Sequence, residues 1–108
     1  MISTKIKSAT AMAVALVVLS PAALALDGAE LYKTKTCSTC HGKDGKSPIL
    51  PAYPKIAGQN EAYTLQQLKD IKSGTRANGM SAAMKGIMHL VSDEEMVALA
   101  KYISTMQP

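Results

Sequence analysis

The stretch Cys37-Ser38-Thr39-Cys40-His41 constrains this chain more than anything else in it. It holds both cysteines and one of the two histidines among 108 residues. On a helical turn, positions i and i+3 lie on one face. The two thiols are therefore presented side by side, with the imidazole at the next position. Thiols so placed can add to the two vinyl groups of one porphyrin edge, with the imidazole aimed at the iron. C-x-x-C-H is the attachment signature of c-type haem. Three other uses of the same residues compete. A thioredoxin-like Cys-x-x-Cys would open a helix after a strand, and no strand alternation is visible. A zinc site of Cys37, Cys40, His41 and His89 has enough ligands, but adjacent Cys40 and His41 suit one small tetrahedral ion badly. A Cys37–Cys40 disulfide would close a loop too small to constrain the unfolded chain much.

The first 25 residues read as an address. Lys5 and Lys7 form a short positive region, Ala9 to Leu19 is an uncharged and mostly apolar run, and Pro21 breaks it. Ala23-Leu24-Ala25 then supplies the small residues that a signal peptidase requires. The pattern predicts a secretory signal peptide over 1–25, cleaved after Ala25, and a single exported domain over 26–108. A retained membrane anchor is the alternative, since a run extended to Leu26 approaches the minimum span.

What remains is 83 residues, marginal for a self-sufficient hydrophobic core. There is no Phe and no Trp, and the aromatic residues are four tyrosines: Tyr32, Tyr53, Tyr63 and Tyr102. Small exported domains normally compensate with several disulfides or a metal, and two cysteines three residues apart do not. A large flat apolar cofactor would fill the centre. Charge excludes another class of partner. After residue 25 the formal balance is +2, too little for strong non-specific nucleic-acid binding. No Gly-rich phosphate loop or hydrolase nucleophile motif is present.

The fold expected is all-α. Asp27 with Glu30 resembles a capping box and predicts a short helix over 28–35. Gly42, Gly45, Pro48, Pro51, Pro54 and Gly58 make 42–58 a loop. A second helix is predicted over 60–73, with apolar positions Tyr63, Leu65, Leu68 and Ile71 and a stop at Gly74. Residues 76–91 read as a Met- and Ala-rich connector with one helical turn. Ser92 with Glu95 is a capping box, and Met96, Leu99, Ala100 and Ile103 give the i, i+3, i+4, i+7 stripe of a terminal helix.

Taken together, the order helix, C-x-x-C-H, Pro-containing loop, helix, Met loop and terminal helix resembles the small class I cytochromes c. The cytochrome c-553 group, and the repeats of its two-haem relatives, are most similar. The matching segments are 37–47 (CSTCHGKDGKS), 53–59 (YPKIAGQ), 67–74 (QLKDIKSG), Arg76 with Asn78, and 99–102 (LAKY). They cover essentially all of 27–106. One departure is a segment between Gly28 and Cys37 a residue or two longer than usual, which bears on how the first helix packs on the last.

The resemblance implies about three main helices around one covalent haem c. It implies Cys37 and Cys40 as the thioether anchors, His41 as one axial ligand and a Met sulfur as the other. In the family's pattern that Met lies eight residues before the Ser capping the last helix, which from Ser92 is Met84. Met80 is the runner-up, Met88 follows, and His89 is a minor candidate. Met96 and Met106 are expected to be packing or tail. The resemblance also implies a proline carbonyl holding the second nitrogen of His41, assigned to Pro51 with Pro48 as runner-up. Arg76 and Asn78 are placed at the haem propionates, at the Met loop, or simply in solvent.

The implied function is a periplasmic electron carrier, not an enzyme, docking transiently with other redox proteins and not inserting in a membrane once cleaved. An electron-transfer subunit of a dehydrogenase or oxidase, or a haem-based ligand sensor, are the alternatives. Lys33, Lys35, Lys43, Lys46 and Lys55 flank the attachment segment. They are expected either to steer an acidic partner or to serve only as solubilising charge.

Overall fold

A computed structural model describes residues 26–108. The predicted export signal, 1–25, lies outside the described residues. These fold into five helices: α1 (Gly28–Thr34), α2 (Cys37–His41), α3 (Glu61–Ser73), α4 (Ser81–Met88) and α5 (Asp93–Thr105). There is no strand among the described residues, and no helix there is long and apolar enough to cross a membrane.

The helix ends follow from their caps. Asp27 accepts hydrogen bonds from the N–H groups of Ala29 and Glu30, which starts α1. Asn60 accepts from Tyr63 N–H and starts α3, and Gly74, at φ 86°, ends it in the left-handed conformation that costs glycine least. α5 opens with the reciprocal capping box: Glu95 N–H donates to Ser92 Oγ, and Ser92 N–H to Glu95 Oε1. α4 runs two turns where one was expected. It has no side-chain cap at Met80, its N-cap, so the local cue that marked α1, α3 and α5 is absent there.

α5 is the centre of the packing, with α1 on one flank and α3 on another. The core consists of Tyr32, Leu68, Ile71, Met88, Val91, Met96, Leu99, Ile103 and Met106. Met96 and Met106 are thus packing residues, as expected. α1 meets α5 backbone to backbone: a Cβ at Gly28 would lie 2.5 Å from Tyr102 Cβ and nearer still to the Ala98 carbonyl oxygen. The Tyr32 and Tyr102 rings complete this crossing, tilted at 58° with centroids 5.6 Å apart. Between α1 and α2 the chain turns at Thr36, which stands at φ 63°.

The inward stripe of α3 differs from the prediction. Thr64, Leu68 and Ile71 are buried and Leu65 is half-buried, while Tyr63 is 52% exposed. Positions 64, 68 and 71 keep the i, i+4, i+7 spacing. The Thr hydroxyl hid the first of them from a hydrophobic count.

Candidate functional site

α2 is a single turn built almost entirely from the Cys-x-x-Cys-His motif. Its position is fixed from several sides. Tyr32 donates its hydroxyl hydrogen to the Gly42 carbonyl, 2.6 Å away, tying α1 to the end of α2. Ile49 N–H donates to the Cys40 carbonyl at 3.0 Å, bringing the following loop back onto the motif. Both cysteines are half-buried and free, so the disulfide alternative is not realised. Burial pushes the Cys37 thiol up to about 11, with the neighbouring Cys40 adding to the rise.

His41 is 7% exposed. Its Nδ1 lies 2.9 Å from the Pro54 carbonyl oxygen. A carbonyl can only accept, so Nδ1 carries the hydrogen, and Nε2 is left with the lone pair that a metal would take. The assignment of this carbonyl to Pro51, or to Pro48, is corrected here. Tyr53 N–H donates to the Leu50 carbonyl, which puts exposed Pro51 at the corner of a turn. The chain passes back over the imidazole only after that turn, at Pro54. Ile56 and Ala57 N–H groups then fasten it to the Gly45 carbonyl. Two prolines three residues apart carried the signal: the first makes the corner and the second supplies the acceptor.

The methionines separate by environment. Met80 is 48% exposed and Met88 is 2% exposed within the core. Met84 is half-buried and packs against the border of the core, as Cys37 does. His89 is exposed, and no three His, Cys, Asp or Glu side chains converge on a metal site among the described residues. Arg76 turns to α3, where Nη1 donates to Gln67 Oε1 at 2.9 Å and its N–H to the Asp70 carbonyl. The Asn78 carbonyl accepts the Ser81 N–H and begins α4. Both residues therefore organise the segment between α3 and α4.

Two unbridged thiols one turn apart and an imidazole with its tautomer set by a backbone carbonyl stand together on α2. These residues fit a covalently held porphyrin iron. An all-helical frame carrying them defines a c-type haem protein.

The chain belongs to the cytochrome c family, whose profile matches residues 25–107. It is similar to cytochrome c4 of Azotobacter vinelandii, 38% identical over 82 residues that cover 70% of this chain and 39% of the relative. It is also similar to cytochrome c-553 of Nitratidesulfovibrio vulgaris, 36% identical over 85 residues, 79% of this chain and 81% of the relative. The crystal structure of reduced cytochrome c4 from Pseudomonas stutzeri superimposes with a TM-score of 0.67 at 32% identity, over 81% of this chain and 50% of that one. The chain thus spans half or less of the cytochrome c4 relatives it matches. Cytochrome c domains hold haem c covalently, and the proteins named here are electron carriers rather than enzymes. Such carriers work by meeting redox partners.

Proposed function

We propose that this chain is a periplasmic carrier of single electrons, with Cys37 and Cys40 anchoring one haem c and His41 and Met84 as its axial ligands. Bound haem c supplies an Fe(III)/Fe(II) couple. His41 presents Nε2 in a fixed orientation because Pro54 holds Nδ1–H, and this raises its basicity as a ligand. Met84 offers a neutral, soft sulfur, which favours Fe(II) and raises the potential relative to a second imidazole. With both axial places taken by side chains, no substrate has a place at the iron. The observation that carries the reading is the Cys-x-x-Cys-His turn with His41 Nδ1 held by the Pro54 carbonyl; Met84 is chosen among the methionines because it is half-buried at the edge of the core, while Met88 is inside it and Met80 exposed.

Export as a domain over 26–108 is supported by the sequence pattern of 1–25. Donor and acceptor are other redox proteins. Lys33, Lys43, Lys46 and Lys55 are exposed beside the attachment segment and available to steer an acidic partner. Lys35 is not part of that set, because its ammonium is already engaged with Leu90 and Glu95.

The test is Met84→Ala against Met80→Ala in the haem-loaded protein. Met84→Ala is expected to keep the haem covalently bound, lower the potential and open the iron to carbon monoxide. Met80→Ala is expected to leave both properties unchanged. The opposite pattern would assign the sulfur to Met80.

A further inference from the structure

We infer that Lys35 and Lys72 are positioning residues for Met84: each donates its ammonium hydrogen to a backbone carbonyl just beyond α4 and so pins the helix that carries the thioether. The inference rests on the reading of Met84 as a ligand.

α4 is poorly held by its own sequence. It is eight residues long, its N-cap Met80 provides no side-chain bond, and a Cβ at Gly79 or Gly86 would meet nothing within 4 Å. A helix this short is not stable by itself. Its other end is different. The N–H groups of Leu90 and Val91 turn back to the carbonyls of Ile87 and Met88, at 2.9 and 3.1 Å. The Leu90 and Val91 carbonyls then accept lysine hydrogens. Lys35 Nζ donates to Leu90 O at 2.8 Å, and Lys72 Nζ donates to Val91 O. Val91 and Met88 are 1% and 2% exposed, so this end is anchored in the core. Positive charge at the C-terminal end of a helix is also favoured by its dipole.

The two lysines come from informative places. Lys35 is the C-cap of α1, two residues before Cys37, and Lys72 lies in the last turn of α3. Lys35 Nζ is in addition 3.4 Å from Glu95 Oε2, and Oε1 of that carboxylate accepts the Ser92 N–H that opens α5. One ammonium thus ties the thiol-bearing segment, the end of the Met84 helix and the start of α5 together. Loosening it lets α4 move relative to α2, which is the displacement that separates a thioether from an iron held by His41.

The test is an imidazole titration of the oxidised, haem-loaded protein followed by visible absorption, since imidazole enters only where the thioether gives way. Lys35→Met and Lys72→Met are each expected to bind imidazole about fivefold more tightly, the factor that one typical hydrogen bond is worth. Lys35→Arg and Lys72→Arg keep a donor and are expected to stay within about twofold of the parent. Ile103→Val, a core change in α5, lowers stability without touching the clamp and is expected to leave imidazole affinity unchanged. Parent-like affinity in both Lys→Met variants would overturn the inference, as would an equal rise in Ile103→Val. Met84→Ala, titrated alongside, separates the two failures. If it binds imidazole no better than the parent, the ligand reading fails and the clamp with it. If it binds far better while the Lys→Met variants do not, only the clamp fails.

Discussion

Gly28→Ala is expected to pry α1 away from α5. The added Cβ would sit 2.5 Å from Tyr102 Cβ, closer still to the Ala98 carbonyl oxygen. Carbon atoms in contact normally stand about 3.5–4 Å apart, so the two helices must separate by roughly 1 Å. That movement opens the Tyr32–Tyr102 ring pair and draws on the Tyr32 hydroxyl bond to Gly42, which locates the end of α2. Overpacking of this kind costs about 1–3 kcal/mol. Alanine recovers up to about 0.5–1 kcal/mol of helix propensity in a helix interior, and less at Gly28, the first residue of its helix. The net expectation is a loss of about 1–2 kcal/mol. For a domain of this size that lowers Tm by about 4–8 °C per kcal/mol. Thermal and urea unfolding of the haem-loaded protein, followed by helical circular dichroism, measure it. Gly86→Ala is the internal control, because its Cβ would meet nothing within 4 Å and Gly86 lies inside α4; it should stabilise by about 0.5–1 kcal/mol. Equal gains in the two variants would refute the close crossing.

Other consequences are accessible to simple measurements. Burial raises the Tyr32 phenol from 10.0 to about 12. Its folded pKa is the higher one, so the stability it contributes is complete below pH 10 and is lost as pH rises toward 12. Ultraviolet titration should show one phenol ionising only in that upper range, together with unfolding. Thr64 Oγ1 is buried with no hydrogen-bond partner; Thr64→Val should raise stability by about 1 kcal/mol in urea unfolding, and a loss would reveal a partner for the hydroxyl. Reversing the charge of exposed Lys43 and Lys46 to Glu should slow association with an acidic redox partner severalfold at low salt and little at high salt; unchanged kinetics would make those lysines solubilising only.

The sequence made much of this architecture legible because local chemistry decided it. The Ser92–Glu95 box and the Asn60 and Gly74 stops lie within a few residues of the helix ends they set, and the Cys-x-x-Cys-His turn is self-contained. The departures arise where tertiary contacts decide. α4 has no cap of its own and exists through packing at Met88 and bonds to Lys35 and Lys72, which lie far from it in sequence. Thr64 takes an inward place that composition would give to Tyr63, because register on α5, not polarity, selects the face. Pro54 rather than Pro51 reaches His41 because a turn at Leu50–Tyr53 spends the earlier proline on the corner. Met84 is implied as the ligand by the family resemblance, and only the folded chain shows that it is half-buried where Met80 is exposed and Met88 buried.

On the proposed function, two sulfurs and an imidazole on one turn bind the group around which a chain without Phe or Trp is organised. The most direct test is the visible spectrum of the protein exported from cells that mature c-type haem, recorded before and after denaturation and acid extraction. A red protein whose haem stays with the polypeptide, and is released when Cys37 and Cys40 are both replaced by Ala, is the expected result. A colourless protein that is nonetheless fully folded would contradict it.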